Sequence, residues 1–189
     1  MIDLYAITDD PAPPLSEPLT AVASHGLAVV CGPAEDGEVT AEVLWRHEEV
    51  VEALMEERDL LPVRFGTRVD DETAAARALG DRHVQLAGAL DRVRGAVELS
   101  VRVIGHAGGD DLRAKAAAAA AVHGPLSQEA RASTQLIPRE PSELLRAAYL
   151  VDRASVDSFV AHVARLQEAN PRLRLLCTGP WPAYSFAES

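Results

Sequence analysis

The chain has 189 residues, which is enough for one ordinary domain or two small ones. Its composition, 48% hydrophobic and 25% charged, is that of a folded globular protein. The 29 acidic and 18 basic residues give a net charge of −11, and a field of this sign repels phosphate groups. We therefore expect no binding to nucleic acid or to an anionic membrane surface.

The N-terminal residues have neither the basic start nor the apolar stretch of a signal peptide, and no apolar run is long enough to span a membrane. The two cysteines, Cys31 and Cys177, lie in apolar runs that are typical of buried strands. Reduced, buried thiols are the simpler prediction, and a disulfide between them is the alternative. Together these features predict a cytoplasmic protein.

Strands and helices alternate in the predicted first half of the chain. Apolar residues recur at helical spacing over 41–58, with Thr40 as the N-cap. Pro62 favours an edge strand or the start of a strand. In chain order we predict a strand at 2–7, a proline-rich loop, a short helix around 19–24, a strand at 27–31, a helix at 41–58, an extended run at 60–66 and a long helix from 72 to about 95.

The second half follows the order strand, helix, strand, helix, strand. Residues 97–103 alternate between apolar and polar side chains, as in a half-exposed antiparallel strand. The remaining predictions are a turn at 105–111, an alanine-rich helix at 112–122, a strand at 144–151, a helix that begins at 156 and is stopped by Asn170-Pro171, and a strand at 173–177. The pattern predicts an α+β fold with two small domains, 1–94 and 95–189, that meet near Gly95.

Motifs of catalysis and cofactor binding are missing from the sequence. The one lysine, Lys115, is followed by alanine, so there is no P-loop. His47-Glu48 begins a zinc-protease pattern, but position 51 is valine, and His47 is better explained as a core histidine. No serine lies in a nucleophile elbow. We therefore expect no enzyme activity, no catalytic residues, no cofactor and no metal.

Three features are candidates for binding a partner. Glu48, Glu52 and Glu56 form an i, i+4 row on the predicted helix, which is either a solvated face or an acidic docking face for a basic partner. The turn that contains Arg64 and Phe65 has either a structural or a binding role. The tail at 179–186 concentrates Trp181, Tyr184 and Phe186, and either packs back as a clasp or presents aromatic rings to a partner.

Segments 44–67, 90–103 and 146–186 occur in an order and spacing that resembles the gas vesicle accessory proteins of the GvpL/GvpF family. The most specific parts are LPVRFGT at 61–67 and TGPWPAYSF at 178–186. One departure is the stretch between the first two C-terminal strands, which is shorter and richer in alanine here, at 112–122, than is usual in the family.

Membership would imply two α+β domains, the second (95–189) a modified ferredoxin-like sheet with helices on one face and an aromatic tail. It would also imply a non-enzymatic assembly factor or minor vesicle component that assists shell nucleation and thereby buoyancy. The implied partners are the major shell protein GvpA and other accessory proteins. The alternative is a small-molecule-binding or enzymatic ferredoxin-like protein. The candidate partner-binding residues are Glu48, Glu52, Glu56, Arg64, Phe65, Trp181 and Tyr184.

Overall fold

A computed structural model describes residues 1–12, 15–34, 39–105 and 112–187. The chain divides into two compact units: Met1–Arg94 together with Pro182–Ser189, and Gly95–Trp181. The sequence prediction assigned the tail to the second domain, whereas Pro182–Ser189 groups with the first unit. The physical reason is a long-range contact: the Tyr184 hydroxyl donates a hydrogen bond to Glu48 of the first unit, and Phe186 is buried.

In its described residues, the first unit contains one antiparallel sheet, with strands of unequal length, and three α-helices. Its elements are β1 (Ile2–Asp9), β2 (Thr20–Ser24), β3 (Leu27–Pro33), α1 (Ala41–Glu57), β4 (Leu61–Pro62), β5 (Arg68–Val69), α2 (Glu72–Asp81) and α3 (His83–Val93). The strand order is β2-β3-β1-β4, and β5 also pairs with β1. Pro62 therefore lies in an edge strand, where its missing N–H costs no ladder hydrogen bond.

Two predicted elements of this unit were wrong. The segment predicted as a helix around 19–24 is strand β2, which pairs with β3 in antiparallel register, Val22 opposite Val29. So short a segment gains little as a helix, and the edge of β3 offers it a full set of backbone partners. The long helix predicted from 72 to 95 is two helices, because Arg82, with φ −118° and ψ 11°, interrupts it just after Gly80.

Helix α1 follows its sequence pattern closely. The Thr40 hydroxyl accepts a hydrogen bond from the backbone N–H of Val43 at 3.4 Å and so caps the helix. The residues that α1 buries are His47, Val51, Leu54 and Met55. Leu44, which shares their spacing, is 43% exposed, so the apolar stripe becomes exposed toward the start of the helix.

The second unit has the β-α-β-β-α-β order of a ferredoxin-like domain. Its elements are β6 (Ala96–Gly105), α4 (Leu112–Glu129), β7 (Ala132–Gln135), β8 (Glu143–Asp152), α5 (Val156–Ala169) and β9 (Leu173–Trp181). The antiparallel sheet has the order β7-β8-β6-β9. Leu99 faces Tyr149 and Val101 faces Ala147 across β6 and β8, and these side chains form one core with Phe159. Helices α4 and α5 thus cover one face of the sheet.

The sequence pattern predicted the middle of this unit less well than its ends. The alanine-rich helix predicted to end at 122 continues through Pro125 to Glu129, where Val122 and Leu126 provide the buried contacts that alanines lack. Strand β7 was not predicted, since a four-residue polar strand has little pattern of its own. Most of the turn predicted at 105–111 and residues 13–14 of the proline-rich loop lie outside the described residues. Both cysteines are free thiols.

Candidate functional site

The C-terminal tail joins several candidate residues on the first unit. Tyr184 lies in a single helical turn, Tyr184–Phe186, and its hydroxyl donates a hydrogen bond to Glu48 Oε1 at 3.4 Å. Burial raises the pKa of Tyr184, and the carboxylates of Glu48 and Glu52 raise it further. The tail therefore lies against the acidic row of α1, with its phenol kept neutral beside two carboxylates.

The acidic row is not uniformly solvated. Glu48 and Glu52 are half-buried beside the tail, and Glu56 is exposed. Helical spacing places Trp45 one turn before Glu48 and Glu49, and this tryptophan is 68% exposed. Sequence reasoning missed Trp45, although a tryptophan off the apolar stripe of an amphipathic helix was a usable signal. The outward surface of α1 therefore carries an aromatic side chain and, one helical turn later, carboxylates.

Phe65 has a packing role. Its ring meets the imidazole of His47 edge-on, with centroids 5.5 Å apart, and Tyr5 stacks on the same imidazole at 4.9 Å. His47 is 4% exposed, and its Nε2 donates to the backbone carbonyl of Val63 at 2.9 Å. This agrees with the prediction of a core histidine rather than a metal ligand. Phe65 covers that histidine and is itself half-buried.

Arg64 begins a tight turn that exposes its side chain. The Thr67 hydroxyl donates to the Arg64 carbonyl at 2.8 Å, and the Thr67 N–H donates to the same oxygen. Gly66 has φ +81°, which a side chain would strain. The turn therefore has a clear structural function and also holds Arg64 at the rim of a cavity.

That cavity, of about 190 Å³, lies where the two most specific sequence segments meet. Leu61, Arg64 and Thr67 line it from the LPVRFGT segment, and Tyr184 lines it from the tail. Arg82, at the break between α2 and α3, is a further lining residue. Five candidate residues (Glu48, Glu52, Glu56, Arg64 and Tyr184) thus lie on or beside one surface that runs from α1 across the tail to the cavity, which we name the tail surface.

Trp181 is not one of the residues of the tail surface. It ends strand β9 in the second unit, is 41% exposed, and donates from its indole Nε1 to the Thr178 hydroxyl at 3.3 Å. Phe186, by contrast, is 7% exposed in the first unit. The clasp interpretation therefore fits Phe186 and Tyr184, and Trp181 keeps an exposed aromatic face.

Reactive groups in the described residues are few. Burial raises the pKa of the Cys31 and Cys177 thiols, which keeps both protonated at neutral pH. Across the described ranges, no three His, Cys, Asp or Glu side chains are grouped so that they could hold a metal ion. Within the same ranges, every helix is too short or too polar to cross a bilayer.

Comparison with known proteins identifies the family. The family model "Gas vesicle synthesis protein GvpL/GvpF" matches residues 4–110 and 105–188. Gas vesicle protein L of Streptomyces sp. (strain CB03234) is 30% identical, over 81% of this chain and 71% of that protein. Gas vesicle protein F2 of Halobacterium salinarum is 29% identical over the same shares of the two chains.

Solved structures have the same fold. The crystal structure of GvpF from Microcystis aeruginosa matches with a TM-score of 0.86 at 19% identity, over 100% of this chain and 99% of that one. GvpF from Anabaena sp. PCC7120 matches with a TM-score of 0.87 at 20% identity, over 100% and 96%. The α+β fold expected from the sequence is confirmed. Because the family model spans nearly the whole chain, this protein belongs to the GvpL/GvpF family of gas vesicle proteins.

Proposed function

We propose that this protein is a non-enzymatic assembly factor, or minor component, of the gas vesicle that binds the major shell protein GvpA and assists shell nucleation. Family membership supports a role in gas vesicle formation. The observation that carries the proposal for this chain is the tail surface, where carboxylates of α1 remain accessible beside an ordered aromatic tail. Other gas vesicle accessory proteins are further partners.

The physical basis is apolar contact combined with charge complementarity. Helix α1 carries six glutamates and one arginine, Arg46, so its outer side attracts a basic partner and orients it on approach. The exposed indole of Trp45 supplies apolar area of the kind that dominates interface energies. A shell subunit with an uncovered apolar face would aggregate in water, and an acidic protein bound to it would oppose that association.

Co-expression with GvpA, followed by size exclusion and a pull-down, tests this role. We expect a complex that weakens as salt rises, and at least about tenfold weaker binding when Glu48, Glu52 and Glu56 are all changed to Lys. The matched control changes Asp10, Asp81 and Glu168 to Lys, since these exposed acids lie off α1 and give the same change in net charge. The control should bind like the unmodified chain.

Two results would count against the proposal. Unchanged binding of the α1 variant over a range of salt would remove the acidic row from the interface. If no complex forms and GvpA still aggregates, direct binding is contradicted. The protein would then act through other accessory proteins.

We further propose that the protein functions in the cytoplasm at the gas vesicle. Stoichiometric retention of the chain in purified vesicles is the result expected of a structural component, and its loss during washing is expected of an assembly factor. Uniform distribution of a fluorescent fusion, in cells that contain vesicles, would contradict the proposed location.

A further inference from the structure

Strand β7 forms one outer edge of the sheet in the second unit. Leu136, directly after the strand, donates its backbone N–H to the Arg146 carbonyl of β8. Backbone groups alternate in direction along a strand, so the even-numbered residues of β7 bond to β8. The N–H and C=O groups of Ser133 and Gln135 therefore point away from the sheet. Among the described residues, none bonds to these four groups.

The edge of β7 has none of the features that usually prevent one strand from pairing with another. The segment 132–137 contains no charged residue and no proline. Gln135 is exposed, Ser133 is half-buried, and Ile137 is 88% exposed. An uncharged row of unpaired backbone donors and acceptors is a template for a further β-strand.

The opposite edge of the same sheet, strand β9, is protected. The side-chain amide of Gln167, in α5, accepts a hydrogen bond from the Leu175 N–H at 2.8 Å and donates one to the Leu173 carbonyl at 2.7 Å. It thereby occupies outward-facing backbone groups of β9. Pro180, further along this strand, has no N–H to donate. Of the two edges of this described sheet, β7 is therefore the one open to pairing.

The distribution of charge favours a second copy of this chain at the β7 edge. Residues Gly95–Trp181 include nine acidic and ten basic side chains, a net charge of +1, which leaves −12 for the first unit. Repulsion between two copies is therefore weakest for a contact between their second units. Antiparallel pairing also brings the exposed Glu129, whose Oε1 bonds to His162 in its own copy, toward the exposed Arg139 of the other copy.

We propose that two copies of this chain pair through their β7 strands, antiparallel about a two-fold axis at Thr134. In this register Ser133 of each copy faces Gln135 of the other, and each of these two pairs exchanges two backbone hydrogen bonds. The two four-stranded sheets then form one continuous sheet. Because the shared edge is short, the dimer is weak and reversible. The inference is independent of GvpA binding, since its test uses this protein alone.

Sedimentation equilibrium of the full-length protein, from about 10 μM to about 1 mM, is the direct test. We expect the average mass to rise with concentration from that of a monomer toward that of a dimer. Gln135→Pro removes an outward-facing N–H but no bond to β8, and should weaken dimerisation at least about tenfold. The matched control is Gln135→Ala, which keeps the backbone N–H and should dimerise like the unmodified chain.

Amide hydrogen exchange of the unmodified protein, followed by NMR, gives a second measurement that does not depend on how the proline variant folds. The Ser133 and Gln135 amides should exchange more slowly as concentration rises, in proportion to the fraction of dimer. The Thr134 amide faces β8 in both states and should not change. The proposal is overturned if the mass stays monomeric throughout, if folded Gln135→Pro associates like the unmodified chain, or if the mass rises without slower exchange at Ser133 and Gln135. The last result would place the contact between copies on another surface.

Discussion

The hydroxyl of Tyr184 donates a hydrogen bond to Glu48 Oε1, 3.4 Å away and 136 positions earlier in the chain. This contact makes the end of the polypeptide part of its first folded unit. Ala183 and Phe186, on either side of it in sequence, are 4% and 7% exposed. The tail is therefore part of the core of the first unit. In the sequence, however, the whole second unit lies between the tail and the acidic row of α1.

We expect the tail to stabilise the first unit mainly through Phe186. Phe186→Ala should lower the free energy of unfolding by about 3–5 kcal/mol, as for other buried aromatic side chains. Tyr184→Phe removes only a long hydrogen bond and should cost about 0.5–1.5 kcal/mol. Urea denaturation followed by Trp45 fluorescence, in a Trp181→Phe background, reports on the first unit. Equal effects of the two variants would mean that the hydrogen bond, and not apolar burial, holds the tail.

Alkaline pH should destabilise the protein through its buried phenols. Burial raises the pKa of Tyr184 and of Tyr149 above the usual value of about 10. The folded state then holds the phenol proton more tightly than the unfolded state does, so stability is full below about pH 10 and falls as pH rises above it. Thermal unfolding between neutral and alkaline pH checks this. Tyr184→Phe should make the loss shallower, and an unchanged slope would contradict the assignment.

Glu143 should make the second unit sensitive to acid. Burial alone would raise the pKa of its carboxyl, but the Arg139 N–H, 2.7 Å from Oε2, and the Arg102 guanidinium hold the pKa below its usual range. A lowered pKa gives stability that is present above about pH 4.3 and is lost as pH falls below it.

The variant Glu143→Gln tests this contribution. It should lower the unfolding midpoint at neutral pH by about 4–8 °C and flatten the dependence on acid pH. The control is Glu168→Gln, since Glu168 is an exposed residue of α5. If both variants show the same acid profile as the unmodified protein, Glu143 is not the group responsible.

Replacing either of two glycines by alanine should change the free energy of unfolding, but in opposite directions. Gly179, with φ +118°, would place a Cβ 2.7 Å from the Glu98 carbonyl oxygen and 3.0 Å from Leu99 Cδ2, so Gly179→Ala should destabilise by about 1–3 kcal/mol. Gly88 lies within α3 with open space around it, and Gly88→Ala should stabilise by about 0.5–1 kcal/mol. Chemical denaturation of both variants measures the contrast. If Gly179→Ala left the free energy of unfolding unchanged, strand β9 would have to accommodate the added Cβ by a shift that does not destabilise the protein.

The candidate site was only partly predictable. Glu48, Arg64 and Tyr184 stood out because of residue type and spacing, yet no pattern in a single sequence shows that they share one surface. Their meeting depends on the tail returning to the first unit, which is a tertiary event. Arg82, which also lines the cavity, lies within a segment for which the sequence predicted one continuous helix.

By itself, the sequence determined the elements whose side chains repeat over many residues. Helix α1 and strand β6 are set by apolar periods of 3.6 and 2, and LPVRFGT with TGPWPAYSF was enough to indicate the family. Only the tertiary structure decided the short elements and the long-range contacts. Strand β2 exists because β3 offers it hydrogen-bond partners, and residues 182–187 belong to the first unit because their apolar area is buried there. Local periodicity carries no information about such partners, since the free energy comes from surfaces that only the folded chain brings together.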